Sequence, residues 1–218
     1  MPKNRFLNIL TWMAAVMILV SGCQSAYYAM WEKMGKEKRH LLRDQVEYSR
    51  DDQEKASEAF KDALTSLKEM YGFQGGDLEK MYNRISDSYA SCDERAEAID
   101  KRIDKIQRIA QDLFAEWRQE IDQIHNPTFR SQSVQKLKST QSRFASLEKA
   151  LIQARKRMTP VLGNLKDYVL YLKHNLNAQA IGSLKGEASS IETDVDRLVR
   201  DIQRSIQEAD AFLKEIEK

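Results

Sequence analysis

The sequence predicts an all-α fold: an elongated antiparallel bundle, or coiled coil, of three to four long helices. Three observations carry this. The 218 residues include only three Pro and eight Gly, while 31% are charged, a composition suited to long helices with wet outer faces. Apolar residues recur four and three apart over four long stretches, the period of one helix face. Helix-breaking residues gather in short joins between those stretches.

The first 22 residues stand apart. They carry Lys3 and Arg5, no acidic residue, and a mostly apolar run from Phe6 to Val20 closed by Ser21 and Gly22. A positive start, an apolar middle and a small-residue end make a secretory signal, and the run is shorter than the ~20 residues a membrane span needs. Leu19-Val20-Ser21-Gly22-Cys23 resembles the lipobox of bacterial lipoproteins. That resemblance implies removal of residues 1–22, acylation of Cys23, and anchoring to the membrane through the lipid. Gln24, where Asp would hold the protein back, implies the outer membrane by Gram-negative sorting rules. The alternative is an ordinary secretory signal or uncleaved anchor, with Cys23 incidental. Three acyl chains would hold the protein permanently, since one alone is marginal.

The remainder, residues 23–218, reads as a single helical domain. Its first helix is expected over about 27–71, with Leu42, Val46, Ala56, Phe60, Ala63, Leu67 and Met70 on the seam and Ser49 and Gln53 filling polar gaps. Gly72 to Gly76 ends it, because adjacent glycines favour turns. Asp77 is a suitable N-cap for a second helix over about 77–125. Its seam is the clearest: Leu78, Tyr82, Ile85, Tyr89, Cys92, Ala96, Ile99, Ile103, Ile106, Ala110, Leu113, Trp117 and Ile124. A sustained seven-residue repeat of this kind is a coiled-coil pattern, and such a helix would be roughly 70 Å long. Asn126-Pro127 stops it, since the residue before Pro disfavours helix.

A third helix is expected over about 130–174, with Leu137, Phe144, Leu147, Leu151, Ala154, Met158, Val161, Leu165, Tyr168 and Leu172 on its seam. Pro160 falls inside it and predicts a kink or local break. Residues 175–179 read as a turn or distorted join. The fourth helix, about 181–217, shows Ile181, Leu184, Ala188, Ile191, Val195, Leu198, Ile202, Ala209, Phe212 and Ile216. Short joins make neighbours antiparallel. The last helix either completes a four-helix bundle or docks partly on a three-helix one.

Charge bounds the function. The whole chain is formally +2, and loss of Lys3 and Arg5 leaves the rest neutral, against a general nucleic-acid or polybasic membrane-binding role. The distribution is uneven. Residues 130–176 hold ten basic residues against Glu148 and Asp167, while 77–125 hold eight basic and twelve acidic. One reading is that the basic third helix is neutralised between acidic neighbours. The other is a basic stripe, including Arg155, Lys156 and Arg157, facing anionic lipid or another envelope polyanion.

Several segments resemble a family of Gram-negative lipoproteins known only as a domain of unknown function. They are Tyr27-Tyr28 with Gly35 and Lys38-Arg39, then Phe73 to Leu78, then Asp112 to Trp117, and then Met158 to Leu162 running on to Leu172-Lys173-His174-Asn175-Leu176-Asn177-Ala178. The likeness covers nearly all of residues 23–218 and implies a helical, membrane-tethered protein. It brings no activity, cofactor or catalytic residue. Some such sequences look like DNA-repair ATPases, but no G-x-x-x-x-G-K-[ST] phosphate loop is present.

Catalytic and metal motifs are absent from the sequence: no H-E-x-x-H, paired C-x-x-C, G-x-S-x-G or G-x-G-x-x-G. Asp122 and His125 are spaced i, i+3 on one helix, as half of a metal site would be, but the second half, needed from another helix, is not visible. Cys92 lies on the seam, where a free Cys packs as a small hydrophobe unless it is reactive or pairs between chains. Tyr27, Tyr28, Met30, Trp31 and Met34 lie close after Cys23, as headgroup-level aromatics or as the base of the core. The best site candidate is Lys173, His174, Asn175, Asn177 and Gln179. These cap helix ends, or they line a polar pocket for a partner. The expected protein is non-enzymatic and without cofactor or metal. It is anchored in the outer membrane facing the periplasm, acts as a structural or interaction rod toward other envelope proteins, and self-association is compatible with its seams. The rival expectations are a membrane-active or self-assembling scaffold using the basic third helix and, last, a ligand or enzymatic site near His174.

Overall fold

The computed structural model describes residues 37–72 and 77–217. The chain divides into two units, Met1–Leu41 and Leu42–Lys218. Of the first, only residues 37–41 are described; helix α1 begins there, at Lys38. Cys23, the signal segment, Tyr27 to Met34 and the Phe73–Gly76 turn lie outside the described residues.

The described residues form four helices and no strand: α1 (Lys38–Tyr71), α2 (Leu78–Gln123), α3 (Pro127–His174) and α4 (Ala178–Ile216). Local chemistry sets their ends. Asp77 caps α2, its Oδ1 accepting from the Lys80 N–H at 3.0 Å. Asn126 caps α3, accepting from the N–H groups of Thr128 and Phe129. Pro127 occupies the first turn, where no N–H is needed. α3 therefore starts three residues before the expected 130, because Asn-Pro is an opening signal as well as a stop. Of the kink or local break expected at Pro160, the break does not occur, since α3 continues through it to His174. Pro160 and Lys156, the residue one turn earlier whose carbonyl loses its helical partner, are both exposed.

Within the second unit, cross-helix pairs run in opposite numerical directions, so each helix is antiparallel to the next. Ser66 meets Ser88 and Asp52 meets Arg102 between α1 and α2. Trp117 meets Ser133 and Gln107 meets Glu148 between α2 and α3. Lys136 meets Glu215 and Arg157 meets Asp201 between α3 and α4. Arg50 with Asp210, and Lys68 with Glu192, join α4 back to α1. The last helix thus pairs with both α1 and α3.

The core lies along the seams. Leu42, Val46, Phe60, Leu67, Ile99, Ile103, Ile106, Leu147, Leu151, Leu198, Ile202 and Phe212 are all buried. Phe114, Phe144 and Phe212 stack edge to face in series, with centroids 5.6 and 5.8 Å apart, a favoured aromatic geometry that joins α2, α3 and α4. The buried arc is wider than the expected seam. Ile109, Phe114, Ala150 and Val169 are also buried, as expected of a helix with neighbours on two sides. Tyr82, Tyr89, Ala96, Trp117 and Ile124 are only half-buried. Trp117 donates its Nε1–H to Ser133 Oγ at 3.0 Å at the bundle surface, and Ile124 lies past the end of α2.

Four polar residues continue the seams: Ser49 and Gln53 on α1, Thr140 on α3 and Ser205 on α4, each almost wholly buried. Gln53 Nε2 donates to the Ser49 carbonyl at 3.2 Å and contacts Ser49 Oγ at 3.3 Å. Gln53 Oε1, Thr140 Oγ1 and Ser205 Oγ have no partner among the described residues.

Candidate functional site

The polar join Lys173–Gln179 is built from backbone groups that two helix ends leave over. α3 closes at His174, and the Asn175 N–H donates to Leu172 O at 3.2 Å. The Asn175 side chain turns back, its Nδ2 donating to Tyr171 O at 2.9 Å. Asn177 is extended and caps α4, its Oδ1 accepting from the Ala180 N–H at 3.0 Å, while its own N–H donates to Asn175 O at 2.9 Å. Lys173 and His174 stand exposed in the last turn of α3, where the charge of Lys173 complements the helix dipole. Gln179 is exposed in the first turn of α4 rather than in the join. The two asparagines are therefore engaged by the chain's own backbone, whereas Lys173, His174 and Gln179 point into water.

The basic helix is arranged differently from a continuous Arg155-Lys156-Arg157 stripe. Successive helical residues point about 100° apart, so three in a row face three ways. Arg155 turns to α2, its Nε 2.8 Å from Asp100 and its NH1 3.0 Å from Asp104. Arg157 turns to α4, its Nε 3.0 Å from Asp201 Oδ2, while Gln153 donates to Asp201 Oδ1 at 2.9 Å. Lys156 alone points outward. The two arginines thus hold α3 to its acidic neighbours. As partly exposed pairs each contributes little stability, but they fix which helix lies on which side.

A second charged cluster escaped the sequence reading. Arg102 of α2 donates Nε–H to Asp52 Oδ2 at 3.0 Å and NH1 to Gln45 Oε1 at 2.9 Å, and its guanidinium lies 5.3 Å from the Tyr48 ring centroid. The Gln45 and Tyr48 positions flank the α1 seam, which gives a signal only once α2 is known to lie beside them. Two open hollows lie elsewhere. One of about 680 Å³ is on the outer side of α3 beside Lys149 and Lys156. The other, about 520 Å³, lies between α1 and α2 beside Asp62, Arg84 and Asp87.

Cys92 is wholly buried. Burial, then the negative charges of Asp62 and Asp93, pushes its thiol up to about 12, so near neutral pH it stays protonated and weakly nucleophilic. Asp122 of the Asp122/His125 pair accepts from Arg130 NH2 at 2.9 Å. Among the described residues, no three His, Cys, Asp or Glu side chains gather to hold a metal. No described helix is long and apolar enough to cross a membrane.

No curated protein matches the chain. A protein family does, over residues 27–216, which takes in every described helix and both chemical candidates, the polar join and the basic helix. By that match the chain belongs to the family described as protein of unknown function DUF2959.

Proposed function

We propose that the protein is a non-enzymatic lipoprotein of the outer membrane, held by acylated Cys23, whose elongated helical bundle serves as a structural or protein-interaction rod in the cell envelope. The observation that carries the reading is the run Leu19-Val20-Ser21-Gly22-Cys23 after a positive, apolar leader, followed by helices of 34 to 48 residues. The use made of polar side chains supports it. Asn175 and Asn177 serve helix ends, Arg155 and Arg157 serve helix pairing, and Cys92 serves the core. A rod tethered at one end presents its outer faces to other envelope proteins, and its long seams also suit association between copies.

The anchor is tested by measuring the mass of the mature N-terminus and fractionating the envelope. A Cys23 carrying acyl chains and a Cys23→Ser form that leaves the membrane fraction support the reading. An unmodified Cys23 in the mature wild-type protein sinks it. Crosslinking in intact cells followed by pull-down tests the interaction role; recovery of only the uncrosslinked monomer counts against it.

A further inference from the structure

The seven-residue repeat sorts the side chains of α3 by direction. Leu137, Phe144, Leu151 and Leu165 point into the core. On the side turned away from the core stand Lys138, Lys149, Lys156, Lys166 and Lys173, all exposed, none in an ion pair among the described residues. They span about 50 Å at 1.5 Å per residue. Asp167 is the one exposed carboxylate described on α3. The arginines at 155 and 157 are occupied by Asp100, Asp104 and Asp201, so the charge left facing outward along this row is ammonium.

A second, independent feature lies on the same helix. Five large apolar residues are strongly exposed among those described: Tyr48, Phe129, Val134, Leu170 and Tyr171. Four of them belong to α3, near its two ends. Leu170 stands between Lys166 and Lys173 at helical spacing, in the row itself, and is 51% exposed.

We infer that this outer face of α3 docks on a membrane surface of anionic lipid, the lysines reaching headgroup phosphates and Leu170 and its neighbours entering the apolar boundary. Lysine stems lie along apolar surface while their heads reach polar groups, and basic residues near an anionic leaflet add affinity one by one. A soluble polyanion would satisfy the lysines and leave Leu170 and Tyr171 in water, whereas a lipid surface accommodates both. The inference goes beyond the proposed role because it makes no use of Cys23, and it stands or falls separately from the N-terminal mass measurement.

The test uses the full chain and vesicles of phosphatidylcholine alone or with phosphatidylglycerol. The N-terminal segment is the same in every variant, so the readout is the ratio of the two affinities and its change between variants. The wild type is expected to favour anionic vesicles, less so as salt rises. Lys149→Gln/Lys156→Gln/Lys166→Gln should lower the ratio roughly a hundredfold, at about fivefold per lysine. Lys55→Gln/Lys61→Gln/Lys80→Gln, with the same change in net charge on α1 and α2, should leave the ratio near wild type. All six side chains are exposed, so both variants should keep helical dichroism and melting temperature. Leu170→Gln should weaken vesicle binding and leave binding to a soluble sulfated polysaccharide unchanged. Equal losses in the two triple variants, or a wild type indifferent to anionic lipid, would overturn the inference. So would a Leu170→Gln variant that binds vesicles as well as wild type while the polysaccharide binds the lysine row; the partner would then be a polyanion.

Discussion

Gln53 offers a substitution whose sign runs against intuition. Its side chain is wholly buried. Its amide nitrogen is engaged by Ser49, but its Oε1 has no partner among the described residues. Leaving a buried acceptor unpaired costs about 1–3 kcal/mol. Gln53→Met keeps an unbranched side chain of similar length, which adapts well to a core, and removes that acceptor. It also loses the Nε2 hydrogen bonding, a net contribution of about 0.5–1.5 kcal/mol. The freed Ser49 hydroxyl can turn to its own helix backbone. The balance is a stabilisation of about 1 kcal/mol, or roughly 2–4 °C in Tm for a chain of this size. Gln53→Ala removes the same acceptor but leaves a cavity, and should lower Tm. Thermal unfolding followed by circular dichroism, with urea denaturation as a second measure, reads both. A Gln53→Met variant less stable than wild type by about 1 kcal/mol or more would show that the carbonyl is satisfied in solution, and the reasoning from the orphaned acceptor would fail.

Four further outcomes are expected. Ile103→Ala, in the middle of the α2 seam and wholly buried, should lose about 2–5 kcal/mol; wild-type stability in urea would contradict its place in the core. Asn177→Ala removes the cap of α4 and should cost about 0.5–2 kcal/mol. His174→Ala, on an exposed side chain, should stay within about 0.5 kcal/mol of wild type; if it melts normally but fails to complement a deletion strain, the join is a binding site. Burial raises the Cys92 thiol from 9.0 to about 12, so the folded state holds this proton more tightly than the unfolded one. The contribution is therefore complete below about pH 9 and lost as pH rises toward about 12. Stability curves of wild type and Cys92→Ala should converge over that window, and parallel curves would refute the assignment.

The helices were legible because one signal, the four-three spacing of apolar residues, is written into every one of them. It identified the α1 seam from Leu42 to Met70 including Ser49 and Gln53, both buried. The same spacing reaches Thr140 on α3 and Ser205 on α4, yet polar residues in a list of apolar ones attract no notice. Ile109 and Phe114 were missed because a seam describes contact with one neighbour, and α2 touches helices on two sides. The basic helix was legible as a composition and misleading as a string. Arg155, Lys156 and Arg157 are adjacent in the chain and serve α2, the outer face and α4 respectively. The lysine row is invisible in a linear reading, since its members are seven to eleven residues apart. The join was legible as polar and unusual. Deciding what its asparagines accept and donate required the ends of α3 and α4 to be placed.

The seven-residue spacing also constrains how such a chain can change length. Two turns of helix, about 10.5 Å, return a side chain to the same face, so inserting seven residues into α3 alone would leave its seam apolar. It would also slide Arg155 away from Asp100 and Asp104, and Arg157 away from Asp201, by that full distance. Phe144 would leave its place between Phe114 and Phe212. Growth or shortening therefore has to come as matched seven-residue blocks in all four helices at one level. A single insertion is better accommodated at the joins, near 124–126 or 175–177, where the extra residue can loop out and leave the helices in register. Length is thus a quantised property of this architecture, changed by whole layers rather than by residues.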